Sequence, residues 1–299
     1  FKKMLSTGRI IKEFQIADIK NIIPKLSSSL HKGQCGRIGV IGGSSEYTGA
    51  PYFAAMTALR LGADIVHVFC SSAAGTAIKS YSPDLIVHPI LDDDTVLKQL
   101  RMWLPRLHCV VFGPGLGREK ISLYSDILDL LKQFGKPTVV DADGLYVISE
   151  LPNLLKDFKN VILTPNASEF KRLLDSLTNN NMPESEQLNS FFKSYGDVTL
   201  VKKGNNDEII NFKSYSCVTG GSVCRCGGQG DVLAGSIALF SCWADLAKSN
   251  DPLTLGAYSG CLFTKTLSSH VFKHYGRSMI TNDFFPKIHN VFKDMFGEE

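Results

Sequence analysis

The chain alternates short, continuous apolar runs, rich in β-branched residues, with longer segments whose apolar positions recur at helical spacing. The runs are RIGVIGG (37–43), DIVHVFC (64–70), LIVHP (85–89), CVVFGPG (109–115), PTVVDADG (137–144), NVILTPN (160–166) and VTLVKKG (198–204). Between them, YFAAMTALRLG (52–62) and ISLYSDILDLLKQFG (121–135) carry the helical period and end on glycine, where helices commonly stop. Strands that are apolar on both faces and separated by helices predict an α/β fold: a mostly parallel central sheet with helices on both faces. After Val198 the pattern changes. EIINF (208–212) and YSCVTGG (215–221) read as an antiparallel pair, and helices follow over 231–247, 252–272 and 282–296. No linker rich in Pro, Gly or Ser cuts the chain. Residues 21–299 therefore read as a single domain, and 1–20 as a tail or processed segment.

The unusual residues fall at the ends of the predicted strands. Gly42 and Gly43 close the first; Gly113, Gly115 and Gly117 follow another; Asp141 and Asp143 follow the next. Asn166 closes VILTPN, and Lys203 and Gly204 close VTLVKKG. In an open parallel sheet these positions share one edge, outside the carboxyl ends of the strands, where ligands bind. That edge is the expected active site.

The densest such punctuation is RCGGQGD (225–231), directly before VLAGSIALFSCWADLA. Leu233, Ile237, Phe240 and Ala244 recur at helical spacing, and Val232, Ala234, Ala238 and Leu239 cover much of the remaining surface, so this helix must be buried. The glycines before it adopt backbone angles that other residues resist. They can aim successive N–H groups at one point and add them to the unpaired donors and positive dipole end of the helix. The product is an anion cradle. Asp231, at its lip, reads either as a helix cap or as a general base that deprotonates a hydroxyl as its oxygen attacks a phosphoryl group. The shared chemistry of the strand ends favours the base.

Composition narrows the partners. The chain has 299 residues, 44% hydrophobic and 20% charged, with a net charge of +3 from scattered residues. This gives no concentrated basic face for nucleic acid, and no apolar run approaches the ~18 residues of a membrane-spanning helix. Cys35, Cys70, Cys109, Cys217, Cys224, Cys226, Cys242 and Cys261 are scattered, several in apolar runs, and read as reduced, buried thiols. Cys224 and Cys226 lack the further ligands of a zinc site, and the histidines show no metal spacing. No G-x-x-x-x-G-K-[ST] phosphate loop is present. The opening FKKMLSTGRIIK, basic with no acid before Glu13, fits either the remnant of a transit peptide or a solvated tail.

Five segments together carry a family resemblance: KGQCGRIGVIGGSSEYTGAPYFAA (33–55), VVFGPGLGR (110–118), VVDADGL (139–145), LTPNASEFKRL (163–173) and RCGGQGD. From about Ile22 onward the chain resembles the ATP-dependent NAD(P)H-hydrate dehydratases, members of the ribokinase-like superfamily. The resemblance implies a ribokinase-like fold and the ATP-driven repair of the hydrated nicotinamide cofactors (S)-NADHX and (S)-NADPHX. It implies Asp231 as the base. Gly227, Gly228, Gln229 and Gly230, with Gly221, Ser222, Val223, Cys224, Arg225 and Cys226 before them, would bind ATP. Lys203, Gly204, Asn205, Asn206 and Asp207 would form a loop on the nucleotide side. Gly117, Asn166, Ala167, Ser168, Glu169, Phe170, Lys171 and Arg172, together with Asp231, would contact the hydrated dinucleotide.

Asn166 and Glu169 match the N-x-x-E element that helps place Mg²⁺, usually through water, in ribokinase-like folds. Bacterial relatives often carry histidine where this chain has Asn166, and the asparagine agrees with the eukaryotic branch. Cytoplasmic or mitochondrial location is implied, with self-association through the last helices. Tyr47, Asp141 and Asp143 read equally as ligand contacts or as loop filler and helix caps. Three rivals stay in view. A ribokinase-like kinase for a sugar, vitamin or pyrimidine alcohol would share the fold, and a non-enzymatic relative would have no need of Asp231, Lys203 and Glu169. A dehydrogenase would use the glycines after CVVFG, but their G-x-G-x-G spacing misses the dinucleotide fingerprint by one step.

Overall fold

The computed structural model describes residues 8–177 and 182–297. Ten strands form one sheet: β1 (Ile10–Ile11), β2 (Arg37–Ile41), β3 (Ile65–Cys70), β4 (Ile86–Pro89), β5 (Cys109–Phe112), β6 (Thr138–Val140), β7 (Val161–Leu163), β8 (Thr199–Lys202), β9 (Asp207–Ile210) and β10 (Ser214–Val218). Their order is β1-β10-β9-β8-β7-β6-β5-β2-β3-β4. Every pair from β8 to β4 is parallel; β9 runs antiparallel to both β8 and β10. The chain winds outward from β2 to β4, then returns to place β5 on the other side of β2. The sheet therefore has a reversal point between β2 and β5, the kind of carboxyl edge at which open α/β sheets bind ligands.

Both faces are covered, as the unbroken apolar strands require. On β5, Cys109 and Val111 face one core while Val110 and Phe112 face the other. The first core is packed by α1 (Ile16–Ile22), α2 (Gly49–Leu61), α3 (Ser72–Tyr81), α9 (Gln229–Leu246), α10 (Pro252–Tyr275) and α11 (Ile288–Phe296). The second is packed by α4 (Val96–Trp103), α5 (Ile121–Phe134), α6 (Asp143–Glu150), α7 (Ala167–Leu177) and α8 (Glu184–Tyr195). Helix α9 is buried from Val232 through Ala244. Its neighbours come too close for even a methyl group: a Cβ on Gly235 would lie 2.2 Å from the Ala54 carbonyl oxygen of α2. On α10, a Cβ on Gly260 would lie 2.6 Å from Ile237 and one on Gly256 2.3 Å from the Ser241 hydroxyl. Small residues thus set the seams between α9 and its neighbours. No helix among the described residues is long and apolar enough to cross a membrane.

Two expectations change. The segment read as a tail over 1–20 is anchored from Arg9 onward; residues 1–7 lie outside the described residues. Ile10 and Ile11 pair in parallel with Ser214 and Tyr215, while Arg9, 3% exposed, donates to the Asn211 carbonyl at 2.9 Å and to Asn189 Oδ1 at 3.0 Å. The helix expected over 282–296 begins only at Ile288, after 3₁₀ turns at Thr281–Asp283 and Phe285–Lys287. Pro286 is the cause, since it has no N–H to continue an α-helical ladder.

Candidate active site

Residues from three successive strand ends and one helix mouth meet at the carboxyl edge. Asp141 follows β6, Glu169 lies in the first turn of α7 after β7, Lys203 follows β8, and Asp231 lies in the first turn of α9. Lys203 Nζ donates to Asp141 Oδ1 at 2.7 Å and stands 3.8 Å from Glu169 Oε2. Burial alone would lower the Lys203 pKa, but Asp141 and Glu169 outweigh it and raise the value, so the ammonium stays charged. Burial raises the Glu169 carboxyl, opposed by Lys203. Asp231 is pushed furthest. Burial and the negative charge of Asp141 drive its carboxyl well above the ordinary range, with Lys203 offsetting only part of this. No described residue donates a hydrogen bond to it. A carboxylate with no hydrogen-bond donor on it and a lifted pKa is a stronger base than an ordinary carboxylate.

Asp231 does not cap its helix. Helix α9 begins at Gln229 with Gly228 as N-cap, φ +94°, so Asp231 already lies inside the first turn. The N–H groups of Gly227, Gly228, Gly230 and Asp231 take no partner among the described residues, leaving the helix mouth open. The glycine loop is held from behind: the Thr281 hydroxyl donates to the Gly227 carbonyl, and Phe53 packs under Gly228, where a Cβ would come within 2.6 Å of the ring. Beside this mouth lies a cavity of ≈ 550 Å³, lined on the loop side by Gly220, Gly221, Ser222, Arg225, Cys226, Gln229 and Gly230. Asn166, Ala167, Lys203, Gly204, Asn205 and Asp207 form another wall, and Leu233, Thr264, Lys265 and Ser268 the floor.

Helix α10 contributes residues that the sequence did not single out. Lys265 Nζ donates to the Gly204 and Asn205 carbonyls at 3.2 and 2.9 Å and lies 3.4 Å from Asp207, fastening the β8–β9 turn. The Thr264 hydroxyl, in the cavity wall, is buried with no hydrogen-bond partner among the described residues. Their only trace in the sequence is the spacing of Thr264, Lys265 and Ser268, polar positions on one side of a largely apolar helix.

The family model for NAD(P)H-hydrate dehydratases matches residues 38–290. The chain is 48% identical over 283 residues to the ATP-dependent (S)-NAD(P)H-hydrate dehydratase of Aedes aegypti, covering 93% of this chain and 83% of that one. The chain belongs to the NAD(P)H-hydrate dehydratase family. Solved structures place the fold among ribokinase-like proteins. A ribokinase-like superfamily protein of Enterococcus faecalis superposes with a TM-score of 0.79 at 19% identity, covering 100% of both chains. The ADP/ATP-dependent NAD(P)H-hydrate dehydratase of Bacillus subtilis, co-crystallised with ATP and Mg²⁺, gives 0.69 at 19% identity, covering 94% of this chain and 97% of that one.

In this dehydratase the residues expected around the dinucleotide divide. Gly117 lies at the carboxyl edge, where its N–H donates to Asp143 Oδ2 at 3.0 Å; Asp143 also pairs with Arg118 at 3.1 Å. Neither aspartate caps α6, whose N-cap is Ala142 without a side-chain bond: Asp141 holds Lys203 and Asp143 holds the glycine turn after β5. Tyr47 is 54% exposed, and its backbone packs against Gly115. Along α7, Ala167, Ser168 and Lys171 are exposed and Arg172 half-buried, but Phe170 is 2% exposed and packs in the second core. Phe170 belongs to the scaffold because the helical period turns it inward. Asp207 is likewise structural: 6% exposed, it accepts from the Gly204 N–H at 3.0 Å and pairs with Lys265. Val223 stands 88% exposed on the loop before the glycines, with Asn206 also exposed.

The N-x-x-E element has a second role here. Asn166 Oδ1 accepts from the Ser168 N–H, the Ser168 hydroxyl and the Glu169 N–H, at 3.0, 2.8 and 3.0 Å, while Glu169 Oε2 accepts from the Asn166 N–H at 2.8 Å. This is a reciprocal capping box that closes the α7 N-terminus. Asn166 Oδ1, with three donors on it, is spent as a metal ligand. Glu169 keeps Oε1 and Asp231 keeps its carboxylate. These hard oxygens fit a magnesium ion carried on nucleotide phosphates with its waters; among the described residues no group of three or more His, Cys, Asp or Glu forms a ready-made metal cage.

Proposed function

We propose that the chain dehydrates (S)-NADHX and (S)-NADPHX to NADH and NADPH with ATP as co-substrate, and that Asp231 is its base. Hydroxide is a poor leaving group near neutral pH, and phosphorylation makes it a good one. Asp231 takes the proton of the C6 hydroxyl as that oxygen attacks the γ-phosphorus, and ADP departs. The phosphate then leaves C6 with the ring nitrogen's electron pair behind it, a proton leaves C5, and the C5–C6 double bond forms. The open donors at the α9 mouth would receive the negative charge of the transferring phosphoryl group, which helix termini do well. Lys203, kept charged by Asp141 and Glu169, lies on the same side. Magnesium, held through Glu169 and the ATP phosphates, would neutralise charge on the nucleotide.

The observation that supports this most is the unpartnered Asp231 carboxylate beside a helix mouth whose donors are equally unpartnered. The test is to incubate the protein with hydrated NADH and Mg-ATP and follow the return of the NADH absorbance band together with ADP release. Parent protein should restore the band, and Asp231→Asn should not. A stable phosphorylated product without recovery of NADH would instead identify a kinase. We place the enzyme in the cytoplasm or mitochondria, where reduced cofactors turn over, and expect it to self-associate; fractionation and sedimentation test these two points.

A further inference from the structure

The eight cysteines fall into two groups. Cys35, Cys70, Cys109, Cys242 and Cys261 are buried, as expected. Burial pushes the Cys70 and Cys242 thiols up to about 12, and those of Cys109 and Cys261 well above the ordinary thiol value. Such thiols keep their protons and are shut off from solvent, so they are chemically inert. Cys217, Cys224 and Cys226 are only half-buried. Cys217 is held within β10, whereas Cys224 and Cys226 lie together on the irregular loop that leads to the glycines.

Along that loop exposure alternates: Val223, Arg225 and Gly227 face out, while Cys224 and Cys226 turn in. A period of two places the two thiols on one side of an extended chain. Their contacts agree. Cys224 Sγ lies 4.0 Å from the Arg277 carbonyl and Cys226 Sγ 3.5 Å from the Thr281 hydroxyl, so both face the turns that follow α10. Residues two apart in extended backbone have Cα atoms about 6.5 Å apart, and disulfides span roughly 4.4–6.8 Å. The pair is within bridging reach, near the long limit. Closing the bridge shortens the segment and pulls on Gly227 and Gly228, whose backbone freedom lets them follow. It also draws Cys226 Sγ from the Thr281 hydroxyl, the group that holds the Gly227 carbonyl from behind.

We propose that Cys224 and Cys226 form a dithiol modification site, oxidised by hydrogen peroxide to a disulfide that withdraws the glycine loop from ATP. Its effect on ATP rests on the nucleotide reading above; the bridge itself does not. Peroxide first converts one thiol to a sulfenic acid and is itself reduced to water. The second sulfur then attacks the first, the S–S bond forms, the S–O bond breaks, and hydroxide leaves with the second thiol's proton as another water. Two electrons pass from the pair to the peroxide. A bridge near the limit of its reach is strained, and strained bridges are readily reduced, so thiol reductants reverse the change.

Trypsin supplies the first readout, because it cuts after Arg225, between the two thiols. In peroxide-treated protein the fragments 214–225 and 226–248 should stay joined until dithiothreitol is added. Cys224→Ser should abolish the link, which excludes Cys217 on the first fragment; Cys226→Ser should abolish it too, which excludes Cys242 on the second. The second readout is Mg-ATP binding by calorimetry. Oxidised parent should bind about tenfold more weakly, the loss of one charge-assisted bond, and dithiothreitol should restore the untreated affinity. Fragments that separate without reductant, or a link that persists in either serine variant, overturn the site. A bridge that forms while affinity for Mg-ATP stays unchanged overturns its effect on the loop. Lost affinity that dithiothreitol does not restore marks over-oxidised thiols and overturns the bridge as the cause. Untreated parent that does not bind Mg-ATP overturns the nucleotide reading, and the fragments alone then decide the site.

Discussion

Two helices, α7 and α9, point their N-termini at the same crevice, and they end in opposite ways. The α7 terminus is largely closed by its own side chains: Asn166 and Glu169 satisfy three of the four backbone N–H groups from Asn166 to Glu169. The α9 terminus has a glycine at its cap, no side-chain acceptor, and donors left unpaired among the described residues beside the cavity that Gly230 lines. A closed terminus is finished when the chain folds, whereas an open one retains an unmet demand for negative charge. The contrast explains why one turn holds the scaffold and the other can hold a transferring phosphate, although both carry an acid in the first turn.

The strongest test of that contrast is Asp231→Asn, which keeps the shape of the α9 mouth and removes the proton acceptor. Turnover should fall ~10²–10⁴-fold, the usual contribution of a general base. Stability should move the other way. The folded chain holds the Asp231 proton more tightly than the unfolded chain, so parental stability declines as pH rises from the ordinary carboxyl range through the lifted value. Asparagine does not titrate, so the variant should melt higher than the parent above that window and lose its advantage below it. Parental activity should fall as pH drops through the same lifted value.

Next comes Lys203→Met, which leaves Asp141, Glu169 and Asp231 together without their cation. Breaking one side of a buried ion pair costs about 3–5 kcal/mol, and denaturant titration reads it directly. A smaller effect is expected from Thr264→Val. Replacing an unpartnered buried hydroxyl with a methyl should leave stability equal or slightly raised, while KM for ATP rises about fivefold if that hydroxyl bonds the nucleotide, the worth of one hydrogen bond. The smallest change should come from Asn166→Ala, with a loss of ~1 kcal/mol in stability from the missing cap and the magnesium dependence of turnover kept. A large shift in that dependence would restore Asn166 to the metal and blur the distinction between the two termini.

Much of this was readable from the chain. Continuous apolar runs gave the strand order its parallel character, and glycines and acids at run ends located the active edge. What stayed hidden depends on contacts between distant residues or on patterns with two meanings. Lys203 and Asp141 lie 62 residues apart, and no local pattern pairs them. Thr264 and Lys265 are polar positions on a helix whose sequence gives no sign of what they face. Asn166 and Glu169 spell the same letters whether they cap a helix or place an ion, and only the direction of their hydrogen bonds decides. Ile10 and Ile11 are too short a run to announce a strand, and they become one because β10 offers them an edge.

The seams around α9 carry a mechanical consequence. Gly235 against Ala54, and Gly256 and Gly260 against Ser241 and Ile237, leave this helix no slack in which to recoil. When a nucleotide arrives at the mouth, the helix behind Gln229 serves as a fixed anvil. A side chain enlarged at any of those contacts would displace the striking surface itself, so damage far from the crevice would register there as a misaligned blow.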